Sequence, residues 1–288
     1  ASDCHTPTPA TANAASAPIG STPNAAATAN GSASNVPAAK KSAGRLTSAR
    51  NASGRMRALA RLAESYADGT LRTTHGQNLV LCWVREGDVP ELHGLLRVIG
   101  LDEPDPESLA DVSSCPGAET CKLAVTQSRG AAELVSARFR ADRSLVDRAA
   151  GLVVKVSGCP NGCGLHHVAG IGLQGGMRKL GGRPVPQYFV YAGGDPGSAP
   201  ARFGRVVAKV PARRVGEVFE RLVQLYEVRR EEGESITSYL ARAPLPELKA
   251  ALADLEPLDE ASASPEDFVD LGETEAYAPE TSEGECAA

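Results

Sequence analysis

Apolar positions fall at helical spacing from Arg55 onward, with Met56, Leu59, Ala60, Leu62, Ala63 and Tyr66 repeating until Asp68-Gly69 stops the run. This predicts an amphipathic helix. Short strands follow at Leu71–Thr74 and Asn78–Val84, with Gly76 between them, and a second helix runs from about Pro90 to Ile99. Glu103-Pro104-Asp105-Pro106 closes the unit. Beyond it, Leu123, Ala124, Ala131, Ala132, Leu134 and Val135 follow a helical pattern, and Leu152–Val156 and Val168–Leu173 read as strands. Gly181-Gly182 marks a turn between paired strands that flank it, the second of them Gln187–Tyr191. Helices are expected at Val215–Arg229, Ile236–Ala241 and Pro246–Leu255. The fold class is α+β.

Composition frames these elements with two segments that lack a core pattern. Residues 1–52 are mostly Ala, Ser, Thr, Pro, Asn and Gly, which predicts a flexible stretch or linker. Residues 256–288 are acidic and read as a mostly disordered tail. Between them lie two units, 53–106 and 107–255. The chain begins at Ala1 and its two methionines lie far inside, as in a fragment or a processed product.

A net charge of -5 argues against a nucleic-acid partner. The longest apolar runs, such as Leu79–Val84, are too short to span a bilayer, so no membrane partner is expected. Seven cysteines without a secretory signal point to a reducing, cytoplasmic setting rather than a disulfide framework.

The strongest chemical signal is Cys115-Pro-Gly-Ala-Glu-Thr-Cys121 paired with Cys159-Pro-Asn-Gly-Cys163. Four thiolates from two loops suit an iron–sulfur cubane or a tetrahedral zinc. The longer gap in the first pair counts against zinc, whose knuckles are usually tighter. Two buried thiol pairs without metal remain the third reading. Gly117, Gly158, Gly162 and Gly164 let backbone amides approach sulfur, while Pro116 and Pro160 direct the loops.

Ser114-Cys115 through Gly130, and Ser157-Gly158-Cys159-Pro160-Asn161-Gly162-Cys163-Gly164 through Leu173, resemble the two halves of the siroheme/4Fe-4S signature of nitrite and sulfite reductases. Gly69-Thr70-Leu71-Arg72-Thr73-Thr74-His75-Gly76-Gln77-Asn78 resembles the ferredoxin-like repeat of that family, and Pro186-Gln187-Tyr188 to Gly193-Gly194 extends the likeness downstream. The resemblance spans roughly residues 55 to 250, departing from it at Leu165 and Gly170, where polar residues are common.

The resemblance implies a ferredoxin-like repeat followed by a cofactor domain with a mixed sheet and helices, the carboxyl-terminal half of such an enzyme. It assigns Cys115, Cys121, Cys159 and Cys163 to the 4Fe-4S cluster, with Cys163 also bridging to the siroheme iron. Arg72, Gln77, Asn78 and Asn161 become cofactor-binding candidates. The implied reaction is six-electron reduction of sulfite to sulfide or nitrite to ammonia. Implied partners are the anion, an electron donor such as ferredoxin or a flavoprotein, and a missing amino-terminal half or second chain. A cluster-only relay subunit and a zinc-stapled interaction module are the rival readings.

Other residues carry blander expectations. His166 and His167 are expected to pack near the second loop or hydrogen-bond there rather than bind iron. Arg178, Lys179 and Arg183 read as a solvated hairpin, Cys82 as a small buried hydrophobe, and Cys4 and Cys286 have no assigned role.

Overall fold

The computed structural model describes residues 52–102, 108–197 and 201–279. The stretch 1–52, expected to be flexible, lies outside them but for Ala52, as do the expected linker at Glu103–Pro106 and residues 280–288.

Helix α1 (Ala52–Tyr66) buries Ala58, Leu59, Leu62, Ala63 and Tyr66 along one stripe, the spacing that an amphipathic helix requires. The antiparallel ribbon of β1 (Leu71–Thr73) and β2 (Leu79–Leu81) places Leu71 opposite Leu81. Helix α2 (Val89–Val98) starts with Pro90 in its first turn, where the missing amide hydrogen costs nothing. Its Leu92 joins the α1 stripe and Ile99 in a small core.

The larger core is built on a five-stranded sheet in the order β3 (Ser113–Ser114), β4 (Val154–Ser157), β5 (Ile171–Leu180), β6 (Arg183–Ala192) and β7 (Arg205–Pro211). The first three strands are parallel and the last three antiparallel, so the sheet is mixed. Helices α3 (Ser128–Ala141) and α4 (Arg143–Arg148) carry the crossover from β3 to β4. Helix α5 (Val215–Arg229) buries Val215, Val218, Phe219, Leu222, Val223 and Tyr226, and its Phe219 meets Phe139 of α3 edge to face at 5.4 Å. Helices α6 (Ile236–Arg242) and α7 (Leu245–Leu252) complete this core, with α7 against β7. None of the described helices is long and apolar enough to cross a membrane.

Two differences from the sequence pattern matter. The hairpin strands are longer than expected, because Gly172, Gly175 and Gly176 mask the strand signal inside β5. The turn is where the two glycines predict it, with φ of 54° at Gly181 and 79° at Gly182, values that a tight hairpin demands. The acidic segment is the main correction. Its residues 256–279 contain a turn of 3-10 helix at Pro265–Phe268 and a bridge between Val269 and Ala276, and they bury Asp267, Asp270, Leu271 and Tyr277.

Candidate functional site

Both cysteine loops leave the carboxyl ends of neighbouring parallel strands, the edge at which open sheets bind ligands. Ser114 of β3 lies beside Val156 of β4, and the Cys115 amide donates to the Val156 carbonyl at 3.1 Å. Gly117, at φ 66°, turns the chain so that the Cys121 amide reaches the Gly117 carbonyl at 3.0 Å. A side chain there would fall 2.5 Å from the Ser128 amide and hydroxyl.

Gly158 stitches the two loops together. Its carbonyl accepts from the amides of Val125 and Thr126 at 2.8 and 3.0 Å, and its own amide donates to Cys115 Sγ at 3.2 Å. The Ser128 hydroxyl donates to the Cys115 carbonyl at 2.8 Å and lies 3.3 Å from the sulfur.

In the second loop, Gly162 takes φ 70°, and Leu165 adopts the left-handed region at φ 61° without being glycine. Such strain persists only where surrounding structure enforces it. Here the Leu165 amide is held by the Gly162 carbonyl at 2.7 Å, and the Gly164 amide by the Ser157 hydroxyl at 3.1 Å. His166 is 2% exposed and lies against His167 and Tyr191, with ring centroids 5.2 and 4.9 Å away. Gln174 links them, bonding His166 and accepting from the Tyr191 hydroxyl at 2.7 Å. Burial, with the neighbouring His167, pulls the His166 pKa down to about 4, so the ring is neutral near pH 7. Its Nδ1 has no hydrogen-bond partner among the described residues. His167 stacks on Phe203 at 5.4 Å.

The four cysteines are unequal. Cys115 and Cys159 are 7% and 6% exposed, Cys121 is half-buried and Cys163 is exposed. None of the five described cysteines, Cys82 included, is in a disulfide. Among the described residues, no three His, Cys, Asp or Glu side chains gather closely enough for one metal ion. Two glycine-lined loops with an amide aimed at sulfur fit a larger, negatively charged iron–sulfur group, whose charge such amides stabilise.

The remaining candidates are distributed around this centre. Gln77, at φ 67°, donates from Nε2 to the Ser114 carbonyl at 2.7 Å and accepts the Ser114 amide at 3.2 Å, so its amide group holds β3 in place. Asn78 Nδ2 donates to Asp111 at 2.5 Å. Arg72 is exposed and pairs loosely with Asp68 at 3.5 Å, and Asn161 lies exposed at the tip of the second loop. The hairpin patch is not simply solvated. Arg178 donates to Gln187, to the Glu256 carbonyl and to the Lys209 carbonyl at 2.7, 2.8 and 2.7 Å, while Arg183 lies 3.7 Å over the Phe268 ring.

Several residues at the site escape a cysteine-centred reading. Thr126, 0% exposed, sits where Gly175 leaves room, since a side chain at Gly175 would fall 2.0 Å from its hydroxyl. Asp270 accepts the Gln127 amide at 2.8 Å, Glu273 accepts from Gln127 Nε2 at 2.6 Å, and the Tyr277 hydroxyl donates to the Val125 carbonyl at 2.7 Å. Burial raises the pKa of Asp270, Tyr188 and Tyr277 alike, and at Asp270 two amide donors partly offset it. Cys121, Lys122, Gln127, Asp270, Glu273 and Tyr277 border an open cavity of about 450 Å³.

Residues 107–257 match the family model of the nitrite and sulphite reductase 4Fe-4S domain, and residues 38–99 match that of the nitrite/sulfite reductase ferredoxin-like half domain. The chain is 30% identical over 197 residues to sulfite reductase [ferredoxin] 1 of Mycolicibacterium paratuberculosis, covering 67% of this chain and 35% of that protein. It is 32% identical over 141 residues to the ferredoxin–nitrite reductase of Synechococcus elongatus, covering 48% and 27%. The solved structure of the Mycobacterium tuberculosis NirA protein superposes with a TM-score of 0.60 at 29% identity, covering 68% of this chain and 37% of that one. The chain thus spans about a third of the length of the curated relatives it matches.

Proposed function

The chain belongs to the nitrite and sulphite reductase 4Fe-4S family, and we propose that it is the cofactor-binding half of a siroheme-dependent reductase that delivers six electrons to sulfite or nitrite. In this reading Cys115, Cys121, Cys159 and Cys163 would hold the cluster, and Cys163 would also serve the siroheme iron. The observation that carries it is the pairing of the two cysteine loops at one sheet edge through Gly158, with two of the thiols enclosed and Cys163 left facing outward. An exposed fourth sulfur suits a ligand that must serve a second group.

The bound cofactors supply the electron-transfer chemistry, while the protein supplies ligation, orientation and charge. The Gly158 amide stabilises negative charge on the Cys115 sulfur. Gln77 fixes Ser114, and through it the direction in which Cys115 leaves β3. Arg72 and Asn161 are exposed polar groups that would meet cofactor carboxylates, while Gln77 and Asn78 are engaged by Ser114 and Asp111.

The relatives support a class of substrate and of donor. Those named above are ferredoxin-dependent sulfite and nitrite reductases, so a small oxyanion and a ferredoxin-like donor are the partners we assign. Described cysteines outside any disulfide fit a reducing, cytoplasmic compartment. The remainder of the site is supplied by a further half or a second chain. Leu79, Val80 and Trp83 of the ribbon region are exposed, Trp83 by 77%, which is the kind of apolar surface such a partner covers.

Anaerobically purified protein tests this reading through its visible spectrum and its metal content. Siroheme bands with iron and acid-labile sulfide in equal cluster amounts are expected. Zinc without sulfide would refute it, and iron–sulfur absorption alone would favour the cluster-only relay.

A further inference from the structure

Residues 264–279 lie beyond the 107–257 family match, yet they are fastened directly to the first cysteine loop. The fastening is dense. Tyr277 donates to the Val125 carbonyl at 2.7 Å, and Asp270, 3% exposed, accepts the Gln127 amide at 2.8 Å while its other oxygen accepts the Leu271 amide at 2.8 Å. Glu273 takes the Gln127 side chain at 2.6 Å.

Those anchor points are not arbitrary. Val125 and Thr126 are the residues whose amides hold the Gly158 carbonyl, and Gly158 in turn donates to Cys115. Gln127 stands at the start of α3, where a carboxylate also favours the helix dipole. The segment is itself held from below. Leu271 is buried in the main core, the Tyr277 amide donates to the Phe268 carbonyl at 2.7 Å, and Arg213 donates to the carbonyls of Glu266 and Val269 at 3.1 and 3.2 Å.

We propose that Asp270 and Tyr277 are positioning residues for the cluster, clamping residues 125–127, the same stretch that holds Gly158, and so fixing Cys115 and Cys121 relative to the Cys159–Cys163 loop. The clamp presupposes that the four cysteines hold a cluster. It acts through the ligand loop and touches no ligand. Groups that orient metal ligands typically change metal retention about tenfold or more when removed.

The test uses the full chain loaded with its cluster under anaerobic conditions, with Asp270→Asn, Tyr277→Phe and the double substitution. Cluster loss to an iron chelator is followed by bleaching of the visible absorption, beside the electron paramagnetic resonance spectrum of the reduced cluster and the thermal midpoint of the cluster-free chain. The double variant is expected to lose its cluster about tenfold faster and to show an altered resonance spectrum, changes larger than its lowered midpoint accounts for. Loss at the parental rate overturns the clamp, and so does faster loss that merely follows a lowered midpoint. If Asp270→Asn does not fold, Tyr277→Phe, which removes a single hydroxyl, decides the matter alone. A parental chain that takes up no cluster refutes the four-cysteine reading itself, whereas a loaded parent with equally retentive variants refutes only the clamp.

Discussion

The Gly158 amide donates to the Cys115 sulfur at 3.2 Å although 43 residues of chain separate them. No side chain fits at Gly158, for a Cβ would lie 2.7 Å from the Thr126 carbonyl, 3.1 Å from Gly117 Cα and 3.3 Å from Ala124 Cβ. Gly158→Ala therefore forces the two cysteine loops apart. We expect a loss of roughly 2 kcal/mol in stability by denaturant titration, typical of overpacking, together with a clear drop in iron and sulfide content. Full cluster occupancy in the alanine variant would show that the stitch is dispensable.

Unequal burial of the thiols predicts an order of chemical reaction. In cluster-free protein a small alkylating reagent should modify Cys163 first and Cys121 next, with Cys115 and Cys159 reacting only as the loops open. Mass spectrometry of peptides over time reads this directly. Loading the cluster should protect all four and leave the rate at Cys82 unchanged. Protection of Cys82 together with continued labelling of Cys115 would mean that the ligand set is wrong.

Gly130 offers a substitution whose sign differs from its usual value. In an ordinary helix Gly→Ala adds about 1 kcal/mol of stability. Here a Cβ would fall 2.1 Å from the Leu271 carbonyl oxygen, so the carboxyl-terminal segment must move away. Gly130→Ala is expected to lower stability by roughly 2 kcal/mol instead. A rise in the denaturation midpoint would mean that the segment yields freely.

The extent to which the sequence revealed this site can be judged from particular residues. The cysteine spacing and the helical stripe of α5 were legible because each is a local pattern with one physical cause. The clamp was not. Asp270 and Tyr277 sit among acidic residues whose composition signals disorder, and the groups that tie their segment down, the core around Leu271, Arg213 and residues 125–127, lie far away in sequence or give no local pattern. Likewise Gly172 and Gly175 weaken the strand pattern of β5 because they answer to their neighbours, the His166 carbonyl and the Thr126 hydroxyl. Arg178 reads as a surface cation in sequence, yet three acceptors brought from three separate stretches engage it.

His166 links the site to pH. Its folded pKa, about 4, lies below the ordinary 6.5, so the unfolded chain takes up the proton first as acidity increases. The stabilising contribution is complete above about pH 6.5 and drains away between there and pH 4, at most about 3 kcal/mol. Denaturant midpoints from about pH 7.5 to 4.5 should fall less steeply in His166→Phe than in the parent. Parallel slopes would assign the acid sensitivity to other groups.

Strand β3 contributes only two residues to the sheet, and it reaches β4 across the whole span of α3 and α4. Strands β4 to β7 follow one another in space as in sequence. Closing a long loop costs entropy before any contact compensates for it, so β3 is expected to dock after its neighbours have condensed. Cys159 and Cys163 then form an early half-site on a finished scaffold, and Cys115 and Cys121 arrive with the last strand. A newly made chain would in that case pass through a stage at which two thiols are already in place to receive iron while the other two are still being delivered.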